Sequence, residues 1–172
     1  MERKLSLVPR TRELFHAFYR DFVQDPALFA DMSLYADYHY DRAWVDARYD
    51  RHAADGHRCC LILLLGDTVI GDIVLHGIER EKSSCELGIC LVSDAYKNRG
   101  FGTEAERLAV SYAFRELGLH CVTAEVIRKN IRSQHVLEKV GFTRTGEDEN
   151  RIYYAIYKQQ TERTAVPEKK ES

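Results

Sequence analysis

Two continuous apolar runs, Cys59–Leu65 and Thr68–Ile78, are separated only by Gly66-Asp67. A joint of two residues can turn an antiparallel hairpin and is far too short for the crossover a parallel pair needs. The β-branched residues of the second run suit a pleated surface. Ser84–Val92 reads as a third strand after another short joint, so antiparallel pairing is the economical arrangement. The period then changes. Beyond a glycine-rich stretch, Ala105, Leu108, Ala109, Tyr112, Ala113 and Leu117 share one helical face, and Gly118 suits the C′ position that ends such a helix. Cys121–Val126 is a further strand, and the intervening helix allows it to run parallel to Ser84–Val92.

The flanks complete the pattern. Leu5–Val8 is a short apolar strand. Thr11 is a candidate N-cap for a helix carrying Leu14, Phe15, Phe18, Tyr19 and Phe22, which Asp25-Pro26 interrupts. Trp44, Val45, Arg48, Tyr49 and His52 predict a second helix. Asn130–Val140 predicts a shorter helix, turned inward at Val136, Leu137 and Val140 and stopped at Gly141. Phe142–Gly146 and Arg151–Tyr157 predict a closing hairpin. Residues 1–159 are expected to form one domain. The charged segment 160–172, which carries Pro167, is expected to be a disordered tail.

Bulk properties narrow the function classes. The net charge of −2 argues against a broad nucleic-acid-binding surface, and no run is apolar for long enough to span a bilayer. The five cysteines show neither CxxC nor histidines at zinc spacing. They read as small buried hydrophobes of a reducing, cytoplasmic protein, with a catalytic cysteine as the alternative and no metal expected.

The chemistry concentrates in Ser93–Ala105, which joins a strand to a helix. The first N–H groups of a helix lack internal partners and carry partial positive charge. Glycines at 100 and 102 let a ligand approach that backbone closely, and Lys97 and Arg99 add charge. Such a turn can cradle a phosphate or pyrophosphate. Gly100-x-Gly102-x-x-Ala105 also fits the dinucleotide fingerprint, with Glu125 near the distance of a ribose-binding acid. That fold requires alternating strands and helices early in the domain, and the tight turns before residue 93 do not supply them. A glycine turn that merely starts a helix is the plainest alternative.

Lys97–Thr103 resembles the acetyl-CoA pyrophosphate loop of the GCN5-related N-acetyltransferases, Gln/Arg-x-x-Gly-x-Gly/Ala. The resemblance takes in Glu86-Leu87-Gly88-Ile89, Glu104-Ala105, Asn130-Ile131-Arg132-Ser133 and Val136–Phe142, in the family's order over about residues 84–142. It is strongest to the ribosomal-protein N-terminal and spermidine acetyltransferase branch. It implies an α+β fold of three layers: a mixed, mostly antiparallel sheet of six to seven strands, a splayed parallel pair, and helices on both faces. It implies acetyl-CoA as co-substrate and direct attack by a primary amine in a ternary complex, the acceptor being a small molecule or a protein or peptide. The net charge and the lack of a long apolar run leave no nucleic acid or membrane expected as partner, and the closing hairpin could support a homodimer.

By the same resemblance, Lys97, Asn98, Arg99, Gly100, Phe101, Gly102 and Thr103 hold the pyrophosphate, and Leu91 and Val92 flank the pantetheine arm with free main-chain groups. Glu86 becomes the candidate proton acceptor, or a solvent-facing carboxylate on a half-exposed strand. Asn130 becomes a contact to the cofactor arm or to a catalytic water and Ser133 a donor to the departing thiolate, although both residue types also suit a helix start. Two departures stand out: Lys97 replaces the planar Gln or Arg, and Leu137 occupies the place where many members carry a catalytic tyrosine. The second leaves a non-catalytic acyl-CoA-binding regulatory module as an alternative. Tyr35, Tyr38 and Tyr40 with Asp31, Asp37 and Asp41 could line a pocket for a cation or form an ordinary loop. His76, His120 and His135 read as isolated.

Overall fold

A computed structural model describes residues 4–26, 29 and 31–159; the tail expected at 160–172 lies outside the described residues. The elements run β1 (Leu5–Pro9), α1 (Arg12–Asp21), α2 (Arg42–Ala53), β2 (Cys59–Leu65), β3 (Thr68–Glu79), β4 (Ser84–Leu91), α3 (Phe101–Arg115), β5 (Cys121–Ile127), α4 (Ile131–Val140), β6 (Thr143–Glu147) and β7 (Arg151–Tyr157). One seven-stranded sheet has the order β1-β2-β3-β4-β5-β7-β6. Among the described residues, only β4 and β5 pair in parallel. The expected mixed sheet with helices on both faces is the fold observed.

The β2–β3 hairpin turns where expected: Leu65 pairs with Thr68, and Gly66 takes a positive φ of 62°, which a Cβ would disfavour. The closing hairpin does not simply extend the sheet. Its second strand, β7, inserts beside β5 and leaves β6 at the edge. Side chains explain the order. Ile152, Tyr154, Ala155 and Ile156 of β7 are buried, whereas all five residues of β6 are exposed and suit an edge.

Alternation along the strands sends two sets of side chains to two helical layers. Leu61, Leu63, Ile73, Leu75, Leu87 and Val122 meet α3 and α4 in one cluster. Ala105, Ala109 and Ala113, fully buried at a spacing of four, bring α3 close to the sheet. On the opposite face, Ile62 and Val92 meet Phe15, Phe18 and Tyr19 of α1 and Val45 of α2. Thr11 and Asp41 cap α1 and α2, accepting from Leu14 N and Trp44 N. No helix among the described residues is long and apolar enough to cross a membrane.

A buried ion pair underlies the second layer. Arg10 Nη2 lies 2.6 Å from Asp72 Oδ1, the arginine side chain being 1% exposed. Its Nη1 donates to His52 Nδ1 at 2.9 Å, and its guanidinium sits 4.2 Å above the Phe15 ring. Burial, reinforced by Arg48, Arg10 and Arg58, pushes His52 down to about 4, so at neutral pH the imidazole is uncharged and can accept that bond. Burial pushes Asp72 up to about 6 even though Arg10 pulls the other way. Removing one partner strands the other in the interior. Arg10→Met should cost about 3 kcal/mol in urea unfolding at neutral pH, and Arg10→Met/Asp72→Leu should recover most of it. Equal stability of Arg10→Met and the parent would contradict this account.

Candidate active site

β4 and β5 are joined only at Ser84↔Cys121, Cys85↔Val122 and Glu86↔Thr123. Beyond Glu86 they part, while β4 stays paired to β3 as far as Leu91 and β5 to β7 as far as Ile127. Val92 donates to Ile70 O at 2.9 Å. By the alternation of an antiparallel ladder, the N–H and C=O groups of Leu91 and Ile89 therefore face away from β3, into the gap. A cavity of about 600 Å³ opens there, with Cys90 and Leu91 on its wall.

The glycine-rich turn forms one end of this cavity. Gly100 is the N-cap of α3, in left-handed conformation with φ 81°, and offers no side-chain cap. Asn98 also has a positive φ, 57°. The N–H groups of Phe101, Gly102 and Thr103 are thus the unpaired start of a helix, and Gly102 and Thr103 line the cavity. A Cβ built at Gly100 or Gly102 meets nothing within 4 Å. The space beside these glycines is open cleft, a cradle that fits the pyrophosphate of a nucleotide-bearing cofactor.

The other expected residues divide. Lys97, Asn98, Asn130 and Ser133 line the cavity. The Asn130 side chain accepts from Ser133 N at 3.2 Å, so it caps α4 and borders the cleft at once. Arg99 instead donates to Ala95 O at 3.4 Å and stacks on Phe101, 5.1 Å from the ring; the Phe101 side chain packs against the core. Val92 corrects the expectation. It is buried, its N–H serves Ile70 and its C=O accepts from Val23, so its main chain is not available to a ligand.

Lys97 carries the expected charge at the turn, and that charge is paired. Its ammonium pairs with Asp25 and, at 2.5 Å, with Asp94, while Arg132 reaches Asp25 at 3.4 Å. Asp25, Lys97 and Arg132 all line the cavity. Glu86 lies at the point of divergence, half-exposed, with His76 Nε2 3.7 Å from its carboxylate. His76 is therefore not isolated, as the sequence suggested, but registers directly opposite Glu86. Gly88 leaves the next position on that face bare, its absent Cβ 3.9 Å from His76 Nε2.

Several alternatives lose their footing. Glu125, needed by the dinucleotide reading, is paired at 3.0 Å with Arg151 on the neighbouring strand. Cys90 reaches the cavity, but burial pushes its thiol up to about 12, and a protonated thiol is a poor nucleophile. Tyr38 packs against the rings of Tyr19, Phe22 and Trp44, and Asp31 and Asp41 cap helices; none of these residues lines the cavity. Leu137, 2% exposed, is core. His135 lines the cavity, and His120 Nδ1 lies 2.8 Å from Ser83 Oγ.

One group escaped the sequence reading altogether. Glu106 lines the cavity, is 3% exposed, and has a buried Oε2 without a hydrogen-bond partner among the described residues. It lies three, four and seven residues before Ala109, Val110 and Ala113, on the apolar stripe of α3, and that placement was the available signal. Burial alone pushes its carboxyl up to about 8.

An acid whose folded pKa is raised binds its proton more tightly in the folded than in the unfolded chain. From the ordinary range of a glutamate carboxyl up to about 8, rising pH therefore removes stability through Glu106. Thermal unfolding across this window should show Glu106→Leu with a flatter pH dependence than the parent; parallel curves would show that the carboxyl is not buried as described.

The acetyltransferase (GNAT) domain model matches residues 4–143. The protein named Probable N-acetyltransferase YjcK of Bacillus subtilis (strain 168) is 40% identical over 80 residues, 46% of this chain and 44% of that one. The spermidine N(1)-acetyltransferase of Escherichia coli (strain K12) is 28% identical over 99 residues, 58% and 53% of the two chains. The chain spans about half the length of the curated relatives it matches. Among solved structures, the spermidine N-acetyltransferase of Vibrio cholerae in complex with CoA and spermine superposes with a TM-score of 0.68 at 18% identity, over 91% of this chain and 96% of that one. The parted strands, the uncapped glycine turn and the extent of the domain match agree: the chain is a member of the GNAT acetyltransferase family.

Proposed function

We propose that the protein is an acetyl-CoA-dependent N-acetyltransferase acting on a primary amine by direct attack in a ternary complex. The observation that carries the reading is the cleft between β4 and β5, which has unpaired main-chain groups along one wall and an uncapped helix start at its end. A pyrophosphate fits the N–H groups of Gly102 and Thr103, with Asn98 and Gly100 shaping the turn. Leu91 lies beside the pantetheine arm, and the main chain of Ile89 and Leu91 can bond its amides. Acetyl-CoA supplies an activated thioester. The residues of this chain orient it and exclude water from it.

An amine acceptor arrives mostly as ammonium and must lose a proton before it attacks. Glu86 accepts that proton, directly or through water. A backbone N–H of β4 stabilises charge developing on the carbonyl oxygen. Ser133 donates toward the sulfur in place of the tyrosine that Leu137 replaces. The names borne by the Escherichia coli and Vibrio cholerae relatives make spermidine and spermine the first acceptors to try. A non-catalytic acyl-CoA-binding module is favoured by one observation, Leu137 buried in the core where a tyrosine would act. That reading predicts thermal stabilisation by CoA without turnover.

Acetyl-CoA incubated with spermidine, spermine, amino-terminal peptides and aminoglycosides should release free CoA with at least one acceptor; no release with any would reject catalysis. Glu86→Gln should lower kcat/KM about 100-fold and leave the Kd for CoA unchanged, and unchanged kcat/KM would remove Glu86 from the role. At the other end of the cleft, Gly102→Ala should stabilise α3 by about 0.5 to 1 kcal/mol while weakening CoA binding. If affinity and stability rose together, the cofactor would not lie against that glycine.

A further inference from the structure

We propose that Glu106 is a positioning residue that, as an uncharged carboxylic acid, donates a hydrogen bond to an amide carbonyl of the pantetheine arm, an inference that rests on the acyl-CoA reading above. Three independent observations meet in this side chain. It is almost wholly enclosed, 3% exposed; its Oε2 has no partner among the described residues; and it opens on the same cavity as Gly102, Thr103 and Leu91. A buried polar atom left unsatisfied costs stability that an apolar side chain would not. Its neighbours on the stripe, Ala105, Ala109 and Val110, are the residue types that position ordinarily holds. A carboxyl kept there without a protein partner implies a partner that arrives with the ligand.

The position identifies which part of the ligand. Gly102 and Glu106 are four residues apart and lie one above the other on one helical face. The helical rise places Glu106 about 6 Å along the axis from Gly102. A ligand whose pyrophosphate sits on the Gly102 turn carries its first amide within reach of such a group. The protonation state fits a donor. No cation pulls the Glu106 proton off, burial being the sole cause of its raised affinity. The charged and titratable groups around the cavity are Asp25, Cys90, Lys97, Arg132, His135 and Lys139, and Lys97 and Arg132 are held by Asp25. A neutral carboxyl has one O–H to give, and a secondary amide carbonyl is its natural acceptor. Above its pKa the group becomes an anion with no donor, beside a polyanionic ligand.

The test is calorimetric titration of the full chain with desulfo-CoA, which has no titrating thiol, at about pH 7 and about pH 9. At the lower pH, Glu106→Leu should bind about tenfold more weakly than the parent, the value of one good buried hydrogen bond. Glu106→Gln, which keeps a donor and the volume, should stay within about threefold. The parent should lose about tenfold in affinity between the two pH values as the carboxyl ionises, and Glu106→Gln should not. Thermal unfolding without ligand shows whether each variant is folded. Equal affinities of parent and Glu106→Leu at both pH values, with the variant folded, would overturn the role of Glu106 and leave the acyl-CoA reading standing. Binding by none of the three proteins would overturn both.

Discussion

The separation of β4 from β5 after three paired residues is the constraint on which the rest of the molecule turns. Each strand keeps its outer neighbour, β3 or β7, well beyond the point where it loses the inner one. The sheet therefore stays continuous at its base and opens at its top. Unpaired main-chain groups facing an apolar interior would be costly, and a cleft that admits a hydrogen-bonding ligand offsets that cost. The helix start, the cap of α4 and the end of β4 all gather around this opening because the crossover must leave one parted strand and return to the other.

Charge is handled in three ways around this frame. Arg10 and Asp72 form a buried pair completed by a neutral histidine and an aromatic face. Asp25, Lys97 and Arg132 form a cluster at the cleft, where side chains are partly wet. Glu106 has no counter-charge among the described residues and is held uncharged by burial. The first arrangement secures a layer, the second fixes a loop, and the third leaves a hydrogen-bonding capacity open inside a cavity.

Much of this was legible in the sequence because it is local. The Gly66-Asp67 turn, the caps at Thr11 and Asn130, the left-handed Gly118 and Gly141 and the glycine turn before α3 follow from neighbouring residues. What escaped depends on residues distant in sequence. The pairing of Lys97 with Asp25 spans 72 positions, and nothing near Lys97 announces it. The entry of β7 beside β5 follows from comparing the polarity of two strands across the whole sheet. The resemblance placed the main chain of Val92 beside the cofactor arm, but a bond from Val23, 69 positions away, closes its carbonyl. Glu106 was missed although an acid on an apolar stripe is a signal, and only the cavity shows why its placement matters.

The bond from Val23 to Val92 has a further consequence when joined to the cluster at Asp25. Within three residues, the connection leaving α1 is fastened once to the end of β4 and once to the glycine turn and α4. It is thus pinned at two points and stands between the cleft and the aromatic layer of α1 and α2. The carboxylate of Asp25 that fastens it also sets the charge of the cleft, because Lys97 and Arg132 meet there with part of their positive charge already answered.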